Sequence, residues 1–371
     1  MIKSLEIENF KLFKKTKLSL KPLSLLTGLN GTGKSSIIQI LLLLRQSHLA
    51  GVLQTTGLIL KGDLVELGTG KDIFNQFAGK EDLLKFRINT DNQSFYWDFE
   101  YMSDTDILKI VNKATYTDAL LKFGLFNQNF QYLNAEHIIP HNTYTKSEFE
   151  VIQNRQTGKR GEYAVHYLSE YGLEPIAYLN LVHPKARSNR LLHNVEAWLN
   201  EISPGVKVIV EDIKGLELIR LSFQYETENG YTNEYKPINV GFGITYALPV
   251  IVALLTANPD KITIIENPES HIHPKGQSKI GELIALCASN NCQVMIETHS
   301  DHVLNGIRVA INQGKIENAD VAIYYFDRAP VASTSEHESV ITTVNIDKHG
   351  ELSEYPSGLL DEWSGQLYKL I

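Results

Sequence analysis

Cysteine is scarce in this sequence: only Cys287 and Cys292 occur in 371 residues. They form no CxxC pair and satisfy no metal spacing, which excludes a disulfide framework; both read as buried, reduced thiols of a cytosolic protein. Long apolar runs are also missing. The longest, Ile37–Leu44, is interrupted by Gln39 and falls far short of the ~20 residues that a membrane span requires. Met1–Glu6 is too polar for a signal-peptide core, so a cytoplasmic location with no membrane association is expected. An excess of basic charge is absent. The net charge of −8 excludes a global field that would attract nucleic acid. Two local basic stretches remain, Lys11/Lys14/Lys15/Lys17/Lys21 and Lys185/Arg187/Arg190, and both read as solvated faces. No internal repeat, low-complexity segment or sustained heptad is present, so solenoids and long coiled coils are excluded. The remainder is ordinary, with 43% hydrophobic and 21% charged residues. Such a length accommodates two or three domains, or one large domain with insertions.

The most informative stretch is Gly28-Leu29-Asn30-Gly31-Thr32-Gly33-Lys34-Ser35, the GxxxxGK[ST] phosphate loop. The apolar run Leu23–Thr27 before it reads as a buried strand, and Ser36–Arg45 after it as a helix. That strand–loop–helix context is what the motif requires. Glycines let backbone N–H groups converge on a polyphosphate, because no Cβ blocks the approach. The helix N-terminus adds its dipole. Lys34 has the reach for the β- and γ-phosphates, and the Ser35 hydroxyl is a Mg²⁺ ligand. Asn30, Gly31, Thr32, Gly33, Lys34, Ser35 and Ser36 are therefore the candidate ATP-binding residues.

In chain order, strands are expected at Lys3–Glu8, Lys17–Leu20 and Leu23–Thr27, followed by a helix at Lys34–His48. Further strands are expected at Leu58–Leu60, Leu64–Leu67, Lys85–Asn89 and Phe95–Tyr101. Residues 131–237 mix polar and aromatic residues, with helical periodicity at Glu162–Tyr171 and Arg190–Ile202 and strands at Val206–Val210 and Leu216–Tyr225. From 238 onward the pattern becomes regular. Asn239-Val240-Gly241-Phe242-Gly243 precedes an apolar helix, Ile244–Thr256, in which Pro249 predicts a kink. Strand Lys261–Glu266, helix Lys275–Ala288, strand Gln293–Thr298, a helix capped by Ser300 and strand Val321–Phe326 follow. Ala332–Ser339 reads as an exposed loop, Val340–Ile346 as a strand and Asp347–Gly350 as a turn. Alternating strands and helices imply an α/β fold with parallel strands covered on both faces. The expected divisions are an N-terminal lobe (1–130), an inserted helical/β region (131–237), a C-terminal lobe (238–330) and an extension (331–371).

Ile262–Glu266 has the form of a Walker B strand, with Glu266 at its C-terminal end as a Mg²⁺ ligand acting through water. Gln293–Ser300 delivers His299 at the end of another apolar strand. Ligands of open α/β sheets bind beyond the carboxyl ends of strands, so His299 is placed to sense the γ-phosphate or position water. His271 and His273, near Glu266 and Glu269, raise the alternative of a zinc site.

The order of phosphate loop, glycine-rich signature, acidic strand and switch histidine resembles the ABC/SMC-type ATPases. IENFKLFKK…LSLLTGLNGTGKSS is similar to the openings of SMC, recombination and OLD-type ATPases. IIENPESHIHP and ETHSDHVLNGIR resemble stand-alone prokaryotic ATPases, many of them from anti-phage defence loci. The segment VNIDKHGELSEYPSGLLDE resembles a C-terminal domain of unknown function found with that group. The resemblance implies a P-loop NTPase of ABC/SMC-head type, with a mixed sheet and helices on both faces, that uses ATP and Mg²⁺. It also implies a head-to-tail homodimer or higher oligomer, in which Asn239, Gly241 and Gly243 meet the γ-phosphate of the partner. Lys11 is expected near the nucleotide on the same ground, and Gln39, Gln54 and Gln76 are alternatives for the Q-loop glutamine.

Two departures from the family pattern stand out. The signature serine is absent, with Val240 near its place. Where the family has Asp-Glu after the acidic strand, this chain has Glu266-Asn267, and an amide cannot act as a base. Slow hydrolysis is therefore expected, with Glu269 or His299 as substitutes for the missing base. The function implied is a nucleotide-gated dimer that regulates an effector from the same operon, a nuclease, in defence. A DNA-clamping repair ATPase is the alternative, and a transporter subunit fits poorly.

Overall fold

The computed structural model describes residues 1–79, 81–114, 118–328, 339–356, 358–359 and 369. In chain order the strands and α-helices are β1 (Ile2–Phe10), β2 (Phe13–Ser19), β3 (Leu23–Gly28), α1 (Lys34–Leu49), β4 (Gly57–Ile59), α2 (Gly70–Ile73), β5 (Leu84–Thr90), β6 (Ser94–Phe99), β7 (Ile107–Lys113) and α3 (Asp118–Lys122). They continue with β8 (Phe130–Leu133), β9 (Thr143–Thr145), α4 (Ala164–Tyr171), α5 (Leu191–Ile202), β10 (Val206–Asp212), β11 (Leu218–Thr227), β12 (Gly230–Tyr231) and α6 (Phe242–Leu255). The last are β13 (Ile262–Glu266), α7 (Pro274–Ala288), β14 (Gln293–Glu297), α8 (Asp301–Asn312), β15 (Val321–Arg328) and β16 (Ser339–Val344). The chain forms two compact units, one of residues 1–127, 321–345 and 352–371, the other of residues 128–320 and 346–351.

The first unit contains an antiparallel sheet in the order β2-β1-β5-β6-β7-β4. Its strands alternate between buried and exposed residues, as a one-sided sheet requires. Phe10, Phe86 and Phe99 are fully buried and meet edge to face, with ring centroids 5.5 and 6.1 Å apart. β3 has a different composition. Leu23–Thr27 is buried throughout, and β3 runs parallel to β15, which pairs antiparallel with β16. α1 is likewise buried on nearly every side, from Ile37 to Leu44 apart from Gln39, and is thus a core helix.

In the second unit, β14, β13 and β8 are parallel neighbours, and β10–β11 with β9 form a separate antiparallel sheet. Helices α7 and α8 cross at their backbones: a Cβ on Gly306 would stand 2.1 Å from the Ser278 carbonyl oxygen, and one on Gly281 would stand 2.2 Å from that of Val303. Only glycine fits either position. α6 continues through Pro249, whose ring packs against Gly161. The Asp347 turn belongs to this unit. Asp347 Oδ1 accepts the His349 and Glu351 amides at 2.8 and 2.9 Å, and Arg308 Nε donates to the Gly350 carbonyl at 2.7 Å.

Among the departures from the sequence expectations are the short elements α2, α3, β8, β9 and β12, none of which the residue pattern predicts. Leu64–Leu67 is not a strand; only an isolated bridge joins Lys61 and Glu66. The Gln46 side chain on α1 takes up this backbone, with Oε1 accepting from Val65 N at 3.1 Å and Nε2 donating to Ile59 O at 2.9 Å. β7 was not anticipated. Leu108 is its one buried residue, and Val111 is 51% exposed, so the strand carries little hydrophobic alternation. The expected loop Ala332–Ser339 lies outside the described residues except for Ser339.

Candidate nucleotide site

The phosphate loop lies in the first unit, between β3 and α1. Gly28 has φ 121°, and a Cβ there would stand 2.1 Å from the Phe326 carbonyl oxygen of β15. Gly33 is the N-cap of α1 at φ 104°, with Phe13 Cζ 2.8 Å from the position of a Cβ. These glycines are thus fixed by close approach as well as by positive φ. No side chain caps α1, and its first turn holds no acid. The helix N-terminus is therefore left to an anion, and the residues fit a nucleotide polyphosphate. Lys34 is buried and its Nζ donates to the carbonyls of Gly28 and Leu29 at 2.9 and 2.6 Å. Thr32 Oγ1 donates to Leu29 O at 2.7 Å, and Ser339 at the start of β16 donates to Thr32 O at 2.6 Å. Asn30 and Gly31 are exposed at the loop tip, Ser35 is half-buried and Ser36 is buried. Lys11, in the left-handed region at φ 48°, donates to Gln39 Oε1 on α1 at 2.6 Å, and burial lowers its pKa.

Glu266, Asn267, Glu269 and His299 lie together in the second unit. Glu266 ends β13. Its Oε1 accepts the Tyr132 hydroxyl of β8 at 2.8 Å, and the Ala135 backbone also bonds to the carboxylate. Burial nevertheless raises its pKa, and the same burial raises that of Tyr132. His137 Nε2 lies 2.9 Å from the Glu266 carbonyl oxygen. Desolvation lowers the His137 pKa, and Nε2 donates because a carbonyl oxygen only accepts. Asn267 has φ 48°, and its amide donates to Glu297 O of β14 at 2.8 Å. Asparagine tolerates this left-handed turn far better than glutamate does, which is a local reason for the residue.

Both Glu269 oxygens are engaged. Oε2 accepts from Thr298 Oγ1 at 2.7 Å and Oε1 from the His299 amide at 2.9 Å, while burial raises the pKa. The carboxylate thus holds the backbone that presents the exposed His299 side chain. Ser300 caps α8 as expected, accepting from the His302 and Val303 amides, and donates to Gln277 Oε1 at 2.6 Å. His273 instead caps α7, and the His271 ring packs 4.5 Å from that of Tyr246. Among the described residues no group of three or more His, Cys, Asp or Glu is arranged to hold a metal ion.

The signature segment leads from a 3₁₀ turn at Pro237–Asn239 into α6. Asn239, Gly241 and Phe242 are exposed and Val240 half-buried. A Cβ on Gly243 would stand 2.7 Å from the His271 carbonyl oxygen, so packing accounts for that glycine. A Cβ on Gly241 would meet nothing within 4 Å, so its own unit does not require a glycine there. Both basic stretches include lysines and arginines bound in ion pairs: Lys15–Glu8, Lys17–Glu6, Lys185–Glu201 and Arg187–Glu196.

The solved structures most informative here are heads of SMC proteins. An Smc head with an extended coiled coil, bound to the C-terminal domain of ScpA derived from Pyrococcus furiosus, aligns with a TM-score of 0.53 and 12% identity over 100% of this chain and 99% of that one. An SmcHead bound to the C-winged helix domain of ScpA aligns with a TM-score of 0.51 and 13% identity over 94% and 98%. The fold is that of an SMC head. In sequence, a family described as "AAA ATPase domain" matches residues 1–171, and one described as "AAA domain, putative AbiEii toxin, Type IV TA system" matches 127–305. "Protein of unknown function (DUF3696)" matches 316–370. No curated protein matches the sequence. The two AAA models support an ATPase, and the likeness to the SMC heads is one of fold. No helix among the described residues is long and apolar enough to cross a membrane. Sequence reasoning missed Tyr132 and His137 as supports of Glu266. Neither belongs to a motif, and each reaches Glu266 only through the β8–β13 pairing and the turn after β8.

Proposed function

We propose that this protein binds ATP and hydrolyses it slowly, and that the ATP-bound form dimerises head to tail to regulate an effector protein. The observation that carries the slow-clamp reading is the turn after β13, where a left-handed asparagine stands in the place of the usual base. In this reading Lys34 and the amides of residues 30–36 bind the polyphosphate. Ser35 and Glu266 are hard oxygen donors that fit Mg²⁺, which when bound draws charge from the transferred phosphoryl group. Tyr132 and His137 hold Glu266 in place. Asn267 and His299 orient the attacking water, whose oxygen bonds to the γ-phosphorus as the bond to the ADP oxygen breaks, its proton passing to an oxygen of the phosphate released. Glu269 is a positioning residue for His299.

The dimer reading is supported by Gly241, whose missing side chain matters to no neighbour in its own unit, and by the exposed Phe242 and Ile238 around it. Asn239, Gly241 and Gly243 then face the partner's nucleotide. The toxin and TA-system wording of one matched family supports a two-component role; the nuclease effector and defence against phage are carried by the resemblance of IIENPESHIHP and ETHSDHVLNGIR alone. The ion-paired basic stretches give no support to direct DNA clamping. The test is the native mass of wild type and Lys34→Ala with and without ATP, followed by affinity capture from the native operon. Doubling of mass in wild type alone, with a co-purifying protein, is expected. An ATP-independent mass and capture of the ATPase alone would reject the reading.

A further inference from the structure

A cavity of about 360 Å³ opens in the second unit, lined by residues that immediately precede β8 and β13, Asn129 and Lys261 among them. Lys261 immediately precedes the five-residue strand β13 and Glu266 ends it, roughly 16 Å away at strand rise, so the cavity is separate from the carboxylate cluster. The volume falls at the lower end of the range for small-molecule sites, roughly 300–1,000 Å³.

Lys261 is only 4% exposed. Its Nζ donates to the Thr256 carbonyl at 3.0 Å and to Thr256 Oγ1 at 3.1 Å, which closes the C-terminus of α6. An ammonium has three donors, and the third has no partner among the described residues. No carboxylate among the described residues pairs with it, and the ionisable groups acting on it are the Cys287 and Cys292 thiols. Burial pulls its pKa down to about 8, so at neutral pH it remains mostly charged. A buried ammonium without an anion is costly, and the negative end of one helix offsets only part of that cost. The wall is mixed: Asn129, Asn258 and the Glu174 carboxylate supply its polar part, and aromatic and aliphatic side chains the rest. Tyr167 and Tyr171 have centroids 4.8 Å apart, and Leu255 and Ile176 also line the cavity. A second cation, Arg155, lies 3.6 Å over the Tyr171 ring and pairs with Glu174 at 3.3 Å.

We infer that this cavity is a second ligand site, taking a small organic anion whose carboxylate or phosphate head pairs with Lys261 and whose compact body lies against the Tyr167–Leu255 wall. The site is independent of the nucleotide reading. It provides the counter-charge that the fold itself omits.

Calorimetric titration of the full chain with phenyl phosphate, benzoate and neutral benzyl alcohol tests this. At least one anion binds, and the stronger of the two identifies the head group. Benzyl alcohol binds at least tenfold more weakly, and Lys261→Met weakens the anion at least tenfold. Ala177→Trp, at an exposed lining residue that leaves Lys261 intact, weakens it comparably and decides the matter if the methionine variant fails to fold. No binding of either anion at millimolar concentration would overturn the inference, as would equal binding of the alcohol. Binding that survives Lys261→Met and Ala177→Trp but disappears in Lys34→Ala would place the anion on the phosphate loop and overturn it equally.

Discussion

Replacing Asn267 by glutamate sets two effects of one position against each other. At φ 48° the backbone lies in the left-handed region, where a residue other than Gly or Asn costs roughly 1–2 kcal/mol. The Asn267 amide also ties β13 to Glu297 O of β14, and Ser270 N closes the turn on the Asn267 carbonyl at 3.1 Å. The turn is therefore pinned on both sides and cannot relax to negative φ without losing these bonds. A loss of about 1 kcal/mol lowers the melting temperature by roughly 2–4 °C for a unit of this size. Against this, a carboxylate at 267 restores a general base, a contribution of about 10²–10⁴-fold in rate. Asn267→Glu is thus expected to melt earlier and turn over ATP faster, measured by calorimetry and steady-state phosphate release. Asn267→Gly, which suits the same φ, is expected to melt within about 1 °C of wild type and stay slow. Unchanged turnover in the glutamate variant, or wild-type turnover already at tens per second, would refute the clamp reasoning. Unchanged melting would refute the strain argument alone.

Tyr132→Phe removes the hydroxyl that, among the described residues, bonds to the Glu266 carboxylate and should weaken Mg²⁺-dependent ATP turnover about tenfold, with ATP binding measured without Mg²⁺ unchanged. Glu269→Gln keeps the shape but gives one oxygen site a donor; loss of turnover with a flattened pH profile is expected, and full activity would remove Glu269 as the support of His299. Gly306→Ala places a methyl group against the Ser278 carbonyl and should cost about 1–3 kcal/mol in urea unfolding, while Gly241→Ala should leave the monomer's stability unchanged and reduce ATP-dependent dimerisation. His166 and His183 are buried, and desolvation holds both pKa values below the unfolded 6.5. The unfolded chain then binds more protons, so stability contributed by the neutral rings is present above pH 6.5 and lost as pH falls below it. Urea midpoints at pH 7.5 and 5.5 check this, and His183→Asn should reduce the difference.

The sequence was most legible where one local rule decided the outcome. The glycine pattern and flanking periodicity located β3, the phosphate loop and α1, and buried apolar runs located β13 and β14 ahead of their acidic and histidine ends. Ser300 and Asp347 were legible because their side chains bond to backbone a few residues away. The less legible features depend on contacts distant in sequence. Leu64–Leu67 lost its strand to Gln46, and Tyr132 and Glu266 are 134 residues apart. The amide at 267 looked in the sequence like a lost base, whereas in the fold it is also the residue that the turn requires.

That turn leads from the acidic strand β13 into α7 and packs against the start of α6. Residues Asn267 and His271 both have positive φ, at 48° and 60°, and the segment between them is closed by Ser270 N to Asn267 O and Ile272 N to Glu269 O, both at 3.1 Å. Its far end, the His271 carbonyl, fills the space beside Gly243, and the His271 ring packs against Tyr246 and Phe242 of α6. Its near end is anchored by His137 on the Glu266 carbonyl. Strained left-handed residues persist where surrounding contacts over-determine them, and here those contacts lie on both sides of the strain. Within the second unit, Glu266 and the N-terminus of α6 are thus held through one short, stiff segment. A displacement at Glu266 has a route to Gly243 along the backbone of this segment. If nucleotide state is communicated to a partner at the signature, the double-mutant cycle between Tyr132→Phe and Gly243→Ala should show a coupling energy of about 0.5 kcal/mol or more in ATP-dependent dimerisation, and strict additivity would exclude this segment as the link.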